Sequence, residues 1–430
     1  MMYIQNKVRE DFDKVASNLP NHKIIEAKGN QSSFTVEFDN WKDRDEARDI
    51  LDAASIRFRT GKCLLPLRIT GNIEWGVPCP ELDGSGKDLT VWVWPESLWA
   101  PISFVQTVLA SQNKDNYSTD NWKDWWASDD ARVFQFIGQD NIYFYCVAQT
   151  GMFEALNWDL KQTVPVANYH ILFMNKKASS SGEIKPPMAI ELLDYYTPEQ
   201  LRCHWLSLGL DSKAVSFSPK PFDTSVSVKA KNGKPEVLVK DDPRVADPAL
   251  KESAFLTNIF NRLARSCFYG AKNACDSHLP SVTAEAEVIE ACKQATLKFE
   301  QMMYELNFHG ALEVAENFCR AENKRWDATS KQARKDEDDA AYEQALANAF
   351  AALRTTTLLM HAAVPTGCER ISDMLGFDSD VFYDWNNAFD SLAQLCEDAN
   401  EKPEDHEIKE LPPRYDFFEK HPSQYKKKNK

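Results

Sequence analysis

The chain has 430 residues, 43% apolar and 27% charged, with a formal net charge of −15. That length supports two or three hydrophobic cores, and no apolar run approaches the eighteen residues of a membrane span. The acidity disfavours non-specific nucleic-acid binding, which works by neutralising phosphates, so DNA and membranes are not expected partners; a local surface reading one structured RNA stays open.

The first residues, Met1-Met-Tyr-Ile-Gln-Asn-Lys-Val-Arg-Glu10, lack the apolar core of a signal peptide. Ten cysteines are scattered singly with no CxxC pair. This pattern predicts reduced thiols in a cytoplasmic protein, with neither a disulfide framework nor a structural zinc. Cys275 and His278 have ligand spacing, but no second pair stands nearby to complete four ligands, so no metal site is expected.

Residues 1–64 read as a small α+β leader. Val8 to Leu19 is helical in pattern and stops at Pro20; His22 to Ala27 and Ser33 to Phe38 flank a Gly29-Asn30 turn, a hairpin signal; Trp41 to Ala54 is again helical. Residues 65–182 alternate strand and helix. Strands are expected at Thr90–Trp94, Val133–Ile137 and Tyr169–Met174, with helices at Pro101–Leu109 and Asn141–Ala155 and an aromatic surface helix or turn at Trp122–Ala127. Alternation of this kind predicts a parallel sheet covered by helices, with ligands at the carboxyl ends of its strands. Glu96, Gly138, Asp140 and the loop from Lys176 to Ser181 all fall at such ends.

Residues 183–246 form a connecting segment, with a helix near Pro198–Leu206 and a hairpin at Val226–Val239 around Asn232-Gly233. Asp247-Pro248 then opens a helix as an N-cap followed by a proline in the first turn. From there to residue 400 the pattern is helical: Phe255, Ile259, Leu263 and Cys267 share a stripe, and further helices are expected at Thr283–Leu306, His309–Arg325, Asp336–Val364 and Val381–Asn400. Short links between amphipathic helices predict an antiparallel bundle. Residues 401–430 are charged, end in Lys426-Lys-Lys-Asn-Lys430, and read as a solvated tail.

Taken singly, the lysine-and-serine loop is a solvated turn or a polyphosphate holder, and Gly138 a tight turn or an anion site. Their order adds more. Ile73-Glu-Trp-Gly-Val-Pro78, Val91-Trp-Val-Trp-Pro-Glu96, Phe136-Ile-Gly-Gln-Asp-Asn-Ile-Tyr-Phe144, Lys177-Ala-Ser-Ser-Ser181, Thr197-Pro-Glu-Gln-Leu-Arg202 and Asn261-Arg-Leu-Ala-Arg265 follow one another, with Trp326 beyond. Over roughly residues 65–365 this series resembles the second catalytic half and the anticodon-binding helices of class I methionyl-tRNA synthetases. The fold so implied is a partial Rossmann-like parallel sheet, α/β, followed by an all-α anticodon-binding bundle.

The resemblance implies an ATP- and Mg2+-dependent ligase that forms an aminoacyl-adenylate from methionine or an analogue and charges tRNA. Lys177, Ser179 and Ser181 would be catalytic, Lys177 stabilising charge on the ATP phosphates. Gly138 and Asp140 would lie at the nucleotide, and Trp94, Glu96, Tyr145 and Gln149 in the amino-acid pocket. Asn261 and Arg265, one turn apart, would read anticodon bases. Trp326, flanked by Lys324, Arg325 and Asp327, would offer an exposed ring for stacking.

The sequence also departs from the pattern. The HIGH signature and the first half of the nucleotide fold are absent; Ala178 and Ser180 replace a methionine and a lysine of K-M-S-K-S; Tyr145, Gln149 and Pro101 replace a histidine, a tryptophan and a tyrosine. A parallel sheet without its partners leaves an uncovered apolar face. The leader, or a HIGH-bearing half supplied upstream or as a separate polypeptide, would have to cover it. The rival readings are a non-catalytic paralogue that binds tRNA or a protein partner, and an adenylating enzyme that loads another amino acid.

Overall fold

The computed structural model describes residues 1–29, 31–60, 68–71, 75–80, 89–112, 121–158, 163–177, 185–222, 226–229, 235–238 and 246–425. The chain divides into two compact units: residues 1–131 with 143–160, and residues 132–142 with 161–430.

The first unit opens with β1 (Met2–Gln5), α1 (Arg9–Val15), β2 (His22–Ile25), β3 (Ser33–Phe38), α2 (Trp41–Ala53) and β4 (Phe58–Thr60). The strands form an antiparallel sheet in the order β2-β3-β1-β4, a split β-α-β arrangement. Alternation sends Met2, Ile4, Phe34 and Val36 to one face, where Phe12, Ala47 and Leu51 from the two helices close a small core. Asn40 caps α2 by accepting the Asp43 N–H at 2.9 Å. The expected hairpin is β2–β3, and Gly29 turns with φ +59°, a left-handed value that glycine adopts freely.

Beyond the leader come β5 (Thr70–Gly71), β6 (Thr90–Val91), α3 (Val93–Ser97), α4 (Ala100–Gln112), α5 (Lys123–Trp126) and α6 (Gln149–Ala155). The strand expected over Thr90–Trp94 ends at Val91, and the tryptophan pair enters a helix instead. Pro95 lies in the first turn of that helix, where a missing N–H costs little. At 122–127 the helix alternative holds as α5, but its surface placement is corrected: Trp122 and Trp126 are buried against Trp158 and Phe153, and of the three tryptophans Trp125 faces outward.

In the second unit, β7 (Val133–Gly138) pairs in parallel with β8 (Thr163–Asn168), from Val133 opposite Thr163 to Gly138 opposite Asn168. Pro165 lies within β8 and hid this strand from sequence reading, since proline is confined to edge strands and bulges. β9 (Ile171–Phe173) belongs to another sheet, antiparallel to β10 (Lys176–Lys177) and parallel to β11 (Val215–Phe217). The three strands expected in one parallel sheet therefore lie in three separate small sheets among the described residues: β6 pairs antiparallel with β5, β7 parallel with β8, and β9 sits in the mixed sheet. α7 (Ala189–Leu192) and α8 (Pro198–Ser207) flank them, Thr197 capping α8 through a capping box with Gln200. β12 (Val226–Lys229) and β13 (Pro235–Leu238) form the expected hairpin, whose turn at Asn232-Gly233 lies outside the described residues.

The bundle follows: α9 (Pro248–Ala254), α10 (Asn261–Ala274), α11 (Ala286–Tyr304), α12 (Phe308–Lys335), α13 (Asp339–Met360), α14 (Pro365–Leu375), α15 (Ser379–Phe382) and α16 (Leu392–Asp398). Asp247 caps α9 as expected, accepting the Ala249 N–H at 3.0 Å. α12 packs along α13, with α10 and α11 against the same pair. Phe255, Leu263, Cys267, Leu346, Leu353 and Leu359 are among the residues of one continuous core.

The expected solvated tail is corrected. Residues 406–425 run back along the bundle as a strap that buries Ile408, Leu411, Phe417 and Phe418. Phe418 packs on Phe260 at 4.7 Å between ring centroids. Its ring also takes the space above Gly367, where an added Cβ would lie 2.1 Å from Cε1. Further on, Gln424 bonds Gln200 and the Tyr195 carbonyl. Apolar residues inside a charged stretch carry the packing, and composition averaged over thirty residues concealed them.

Candidate functional site

In the first unit, α3 and α6 hold the expected amino-acid pocket residues. Trp94 stacks on Phe144 with centroids 4.0 Å apart and planes 5° apart. Trp92 meets the same ring edge-on at 6.1 Å, and the Arg68 guanidinium lies over Trp92 at 4.8 Å. Phe144 begins a π-helical segment, Phe144–Ala148, that contains half-buried Tyr145 and leads into α6. Irregular turns of this type recur at functional sites. Gln149 is 2% exposed and its Nε2 donates to the Leu98 carbonyl at 2.5 Å. That bond joins α6 to the end of α3 and assigns the amide a structural task. Glu96 is exposed on α3.

In the second unit, Gly138 ends β7 at the carboxyl edge of the parallel pair. Its backbone is ordinary extended chain, φ −76° and ψ 153°, so conformation alone does not require glycine. A Cβ there would lie 2.8 Å from Asp140 Oδ1, the tip of an exposed side chain that can swing away, so space does not require glycine either. Asp140 itself is exposed in the turn Gln139–Asn141. Lys177 sits in β10 opposite Leu172, and Ser179 and Ser181 lie outside the described residues. β7 also carries Phe134 and Phe136 on one face, 48% and 63% exposed, with Phe136 6.0 Å from the Phe308 ring.

The bundle corrects two of the three expected RNA-reading residues. Asn261 and Arg265 do lie one turn apart on α10, directly after a second π-helical segment, Phe255–Phe260. Yet Asn261 is 1% exposed: its Nδ2 donates to the Phe418 carbonyl at 2.8 Å, and its Oδ1 accepts the Phe418 N–H at 3.0 Å. The strap thus takes the donor and acceptor that a base edge would need. Arg265 remains half-exposed and pairs with Asp416 at 2.8 Å. Trp326 is 9% exposed and packs on Tyr342 with centroids 5.6 Å apart, so its ring is part of the core. Its charged neighbours on α12 point elsewhere: Arg325 bonds Glu287 and Glu322. Residues adjacent in a helix sequence face about 100° apart, so charged neighbours do not make a ring exposed.

One group of possible metal ligands converges among the described residues, Cys396, Glu401 and His406. Both ring nitrogens of His406 are already engaged, Nδ1 with Glu401 at 2.6 Å and Nε2 with the Leu375 carbonyl at 2.8 Å. The cluster anchors the start of the strap. Sequence reading missed the strap and the basic face of α10 beside it, although Arg262, Arg265, Tyr269 and Lys272 recur at helical spacing.

Comparison with known proteins places this geometry. Residues 30–230 match the family model for class I tRNA synthetases (M), which reaches back into β3. The methionine–tRNA ligase of Methanoculleus marisnigri is 24% identical over 314 residues, 73% of this chain and 42% of that protein. That of Sulfurisphaera tokodaii is 25% identical over 341 residues, covering 79% and 55%. The Mycobacterium tuberculosis methionyl-tRNA synthetase bound by methionyl-adenylate superposes with a TM-score of 0.56 at 16% identity, covering 87% of this chain and 63% of that one. The chain spans less than half the length of the first of these relatives, and the shared fold is α/β followed by all-α. Motif order, fold and relatives agree in their likeness to the class I methionyl-tRNA synthetases, whose family model residues 30–230 match.

Proposed function

We propose that this chain is the second catalytic half and tRNA-binding bundle of a methionine–tRNA ligase-type enzyme, acting in the cytoplasm. It would work with a HIGH-bearing half carried upstream in the same polypeptide or by a separate one. The observation that carries this reading is the open parallel pair β7–β8. Phe134 and Phe136 leave an apolar face beside the carboxyl edge that holds Gly138 and Asp140. Such a pair gains stability when further strands and helices cover it.

In this reading the amino-acid carboxylate attacks the α-phosphate of ATP and pyrophosphate leaves. Lys177 meets the negative charge that builds on the phosphate oxygens in the transition state. Ser179 and Ser181 add hydroxyl donors. Asp140, a carboxylate tight against Gly138, suits ribose hydroxyls or Mg2+ and repels bare phosphate, so it belongs at the sugar or metal side of the nucleotide. Bound Mg2+ would supply charge neutralisation on the polyphosphate. Trp94, stacked on Phe144, would form an apolar wall for the amino-acid side chain, with Glu96, Tyr145 and Gln149 as the more polar residues around it.

The second reading, a non-catalytic paralogue that binds tRNA or a protein partner, draws on Gln149, whose amide is committed to Leu98. ATP–pyrophosphate exchange, run with the chain plus a HIGH-bearing half from a relative, separates the two. Exchange stimulated by methionine or an analogue supports the ligase. No exchange with any amino acid sinks it and leaves the paralogue.

A further inference from the structure

The strap begins at a side-chain cluster that the ligase chemistry does not use. Cys396 lies buried in the last turn of α16. Asn400 then turns the chain with φ +60°, a left-handed value that asparagine tolerates. Through that turn the Glu401 N–H donates to the Cys396 carbonyl at 2.9 Å. His406 follows, buried, with its ring stacked on Phe377 at 4.4 Å between centroids. Its backbone is pinned as well, since its carbonyl accepts the Leu279 N–H at 3.2 Å. The ligand atoms of Cys396, Glu401 and His406 all lie within 4.8 Å of one another.

The protons of His406 decide what this cluster can hold. Nε2 lies 2.8 Å from the carbonyl of Leu375, the last residue of α14, and a carbonyl only accepts, so Nε2 carries a proton. Nδ1 then faces a Glu401 carboxylate oxygen, a second acceptor, at 2.6 Å. A neutral ring has one N–H and cannot serve both contacts. The second needs a further positive charge, which is either another proton on the ring or a metal ion. A bare imidazolium–carboxylate pair has no use for a sulfur converging on it, whereas a metal does. A ring N–H held by a backbone carbonyl is also the usual support of a metal-ligating histidine. Thiolate, carboxylate and neutral imidazole together carry two negative charges, which balance one divalent cation in this half-buried place. Sulfur with imidazole nitrogen suits zinc and is foreign to the oxygen cages of Mg2+ and Ca2+.

We propose that Cys396 Sγ, a Glu401 carboxylate oxygen and His406 Nδ1 bind a zinc ion, with water in the fourth tetrahedral position. To admit the ion Glu401 draws back from Nδ1, and its side chain, 39% exposed, has room to do so. The Cys396 thiol gives its proton to solvent as the Zn–S bond forms, and a second proton on the ring leaves the same way. The bound ion ties the end of α16 to the first residue of the strap, so zinc is expected to stabilise the closed strap by mass action.

The test uses the full chain, reduced, stripped with a chelator, and titrated with Co2+ and then Zn2+. Co2+ is expected to give a thiolate-to-cobalt charge-transfer band that stoichiometric Zn2+ abolishes, and Cys396→Ser to remove that band. Glu401→Gln alters a half-exposed side chain and leaves the buried sulfur and ring in place. It is expected to keep the band and to weaken binding by at least the ~10–100-fold of a lost outer-shell contact. Zn2+ is expected to raise the urea midpoint of wild type and to leave that of Cys396→Ser unmoved. A band that survives Cys396→Ser would put the ion on another cysteine and overturn the site. Wild-type affinity in Glu401→Gln would overturn the three-ligand set. Neither band nor zinc-dependent midpoint in wild type would overturn the metal and leave an imidazolium–carboxylate pair. The measurement needs neither ATP nor tRNA, so its outcome is independent of the ligase reading.

Discussion

Asn261 and Phe418 are 157 residues apart and exchange two hydrogen bonds, side-chain amide to backbone in both directions. Asn261→Ala would leave the Phe418 N–H and carbonyl unpaired in a buried setting. Each such group costs about 1–3 kcal/mol, so the variant is expected to lose about 2–4 kcal/mol in urea unfolding. A loss below about 0.5 kcal/mol would mean that the strap is held by other contacts.

Trp326 gives a parallel case. Trp326→Ala is expected to destabilise the bundle by about 3–5 kcal/mol, as for other buried aromatic residues. Trp326→Phe keeps an apolar ring against Tyr342 and is expected to bind tRNA as tightly as wild type. Weakened tRNA binding by a fully folded Trp326→Phe protein would return this residue to the RNA surface.

Arg354 is 1% exposed in the middle of α13, over the Phe382 ring at 4.4 Å. Its Nη2 reaches the Asn387 carbonyl at 3.4 Å, while Nε and Nη1 have no hydrogen-bond partner among the described residues. Burial pulls the guanidinium down to about 10 from its ordinary 12.5. A base whose folded-state pKa is lowered costs stability while charged, here about 3 kcal/mol at neutral pH, and the cost fades as pH rises through 10. Arg354→Met, similar in length and uncharged, is therefore expected to match or exceed wild-type stability at pH 7. Its advantage should shrink between pH 9 and 11. Urea midpoints of the two proteins across that range decide the matter, and an advantage constant with pH would reject the assignment.

The thiols should divide sharply in reactivity. Burial pushes Cys203, Cys319 and Cys396 up to about 12 and Cys292 to about 11, and holds Cys267 and Cys368 well above the ordinary range. Thiolate is the reactive form. Iodoacetamide at pH 8, mapped by mass spectrometry, is expected to label half-buried Cys79 and Cys146 early, and these six only after unfolding. Early labelling of Cys267 or Cys319 would show that the bundle core opens.

Much of the bundle was legible because its signals are local. Asp247-Pro248 marks a helix start, and the stripe from Phe255 to Cys267 has the period of a helix face. The sheet was harder to read. β8 carries Pro165, and Trp92 to Trp94 have strand-like composition in a segment that becomes helical at Val93. Pairing partners are chosen by tertiary packing, which no local pattern encodes. The site residues split the same way. The order of motifs pointed to α10, but whether Asn261 is free depends on Phe418, a contact between distant positions that neither segment announces alone. Trp326 was misjudged because its charged neighbours face other directions around α12.

The strap also sets a timetable for synthesis. At roughly 5–20 residues per second, the 157 residues from Asn261 to Phe418 take on the order of 8–30 s to emerge. Throughout that interval Phe260 and the buried side of Asn261 lack the ring and backbone that later cover them. A nascent chain thus leaves the start of α10 uncovered through that interval, a natural place for a chaperone to hold it until Phe418 arrives.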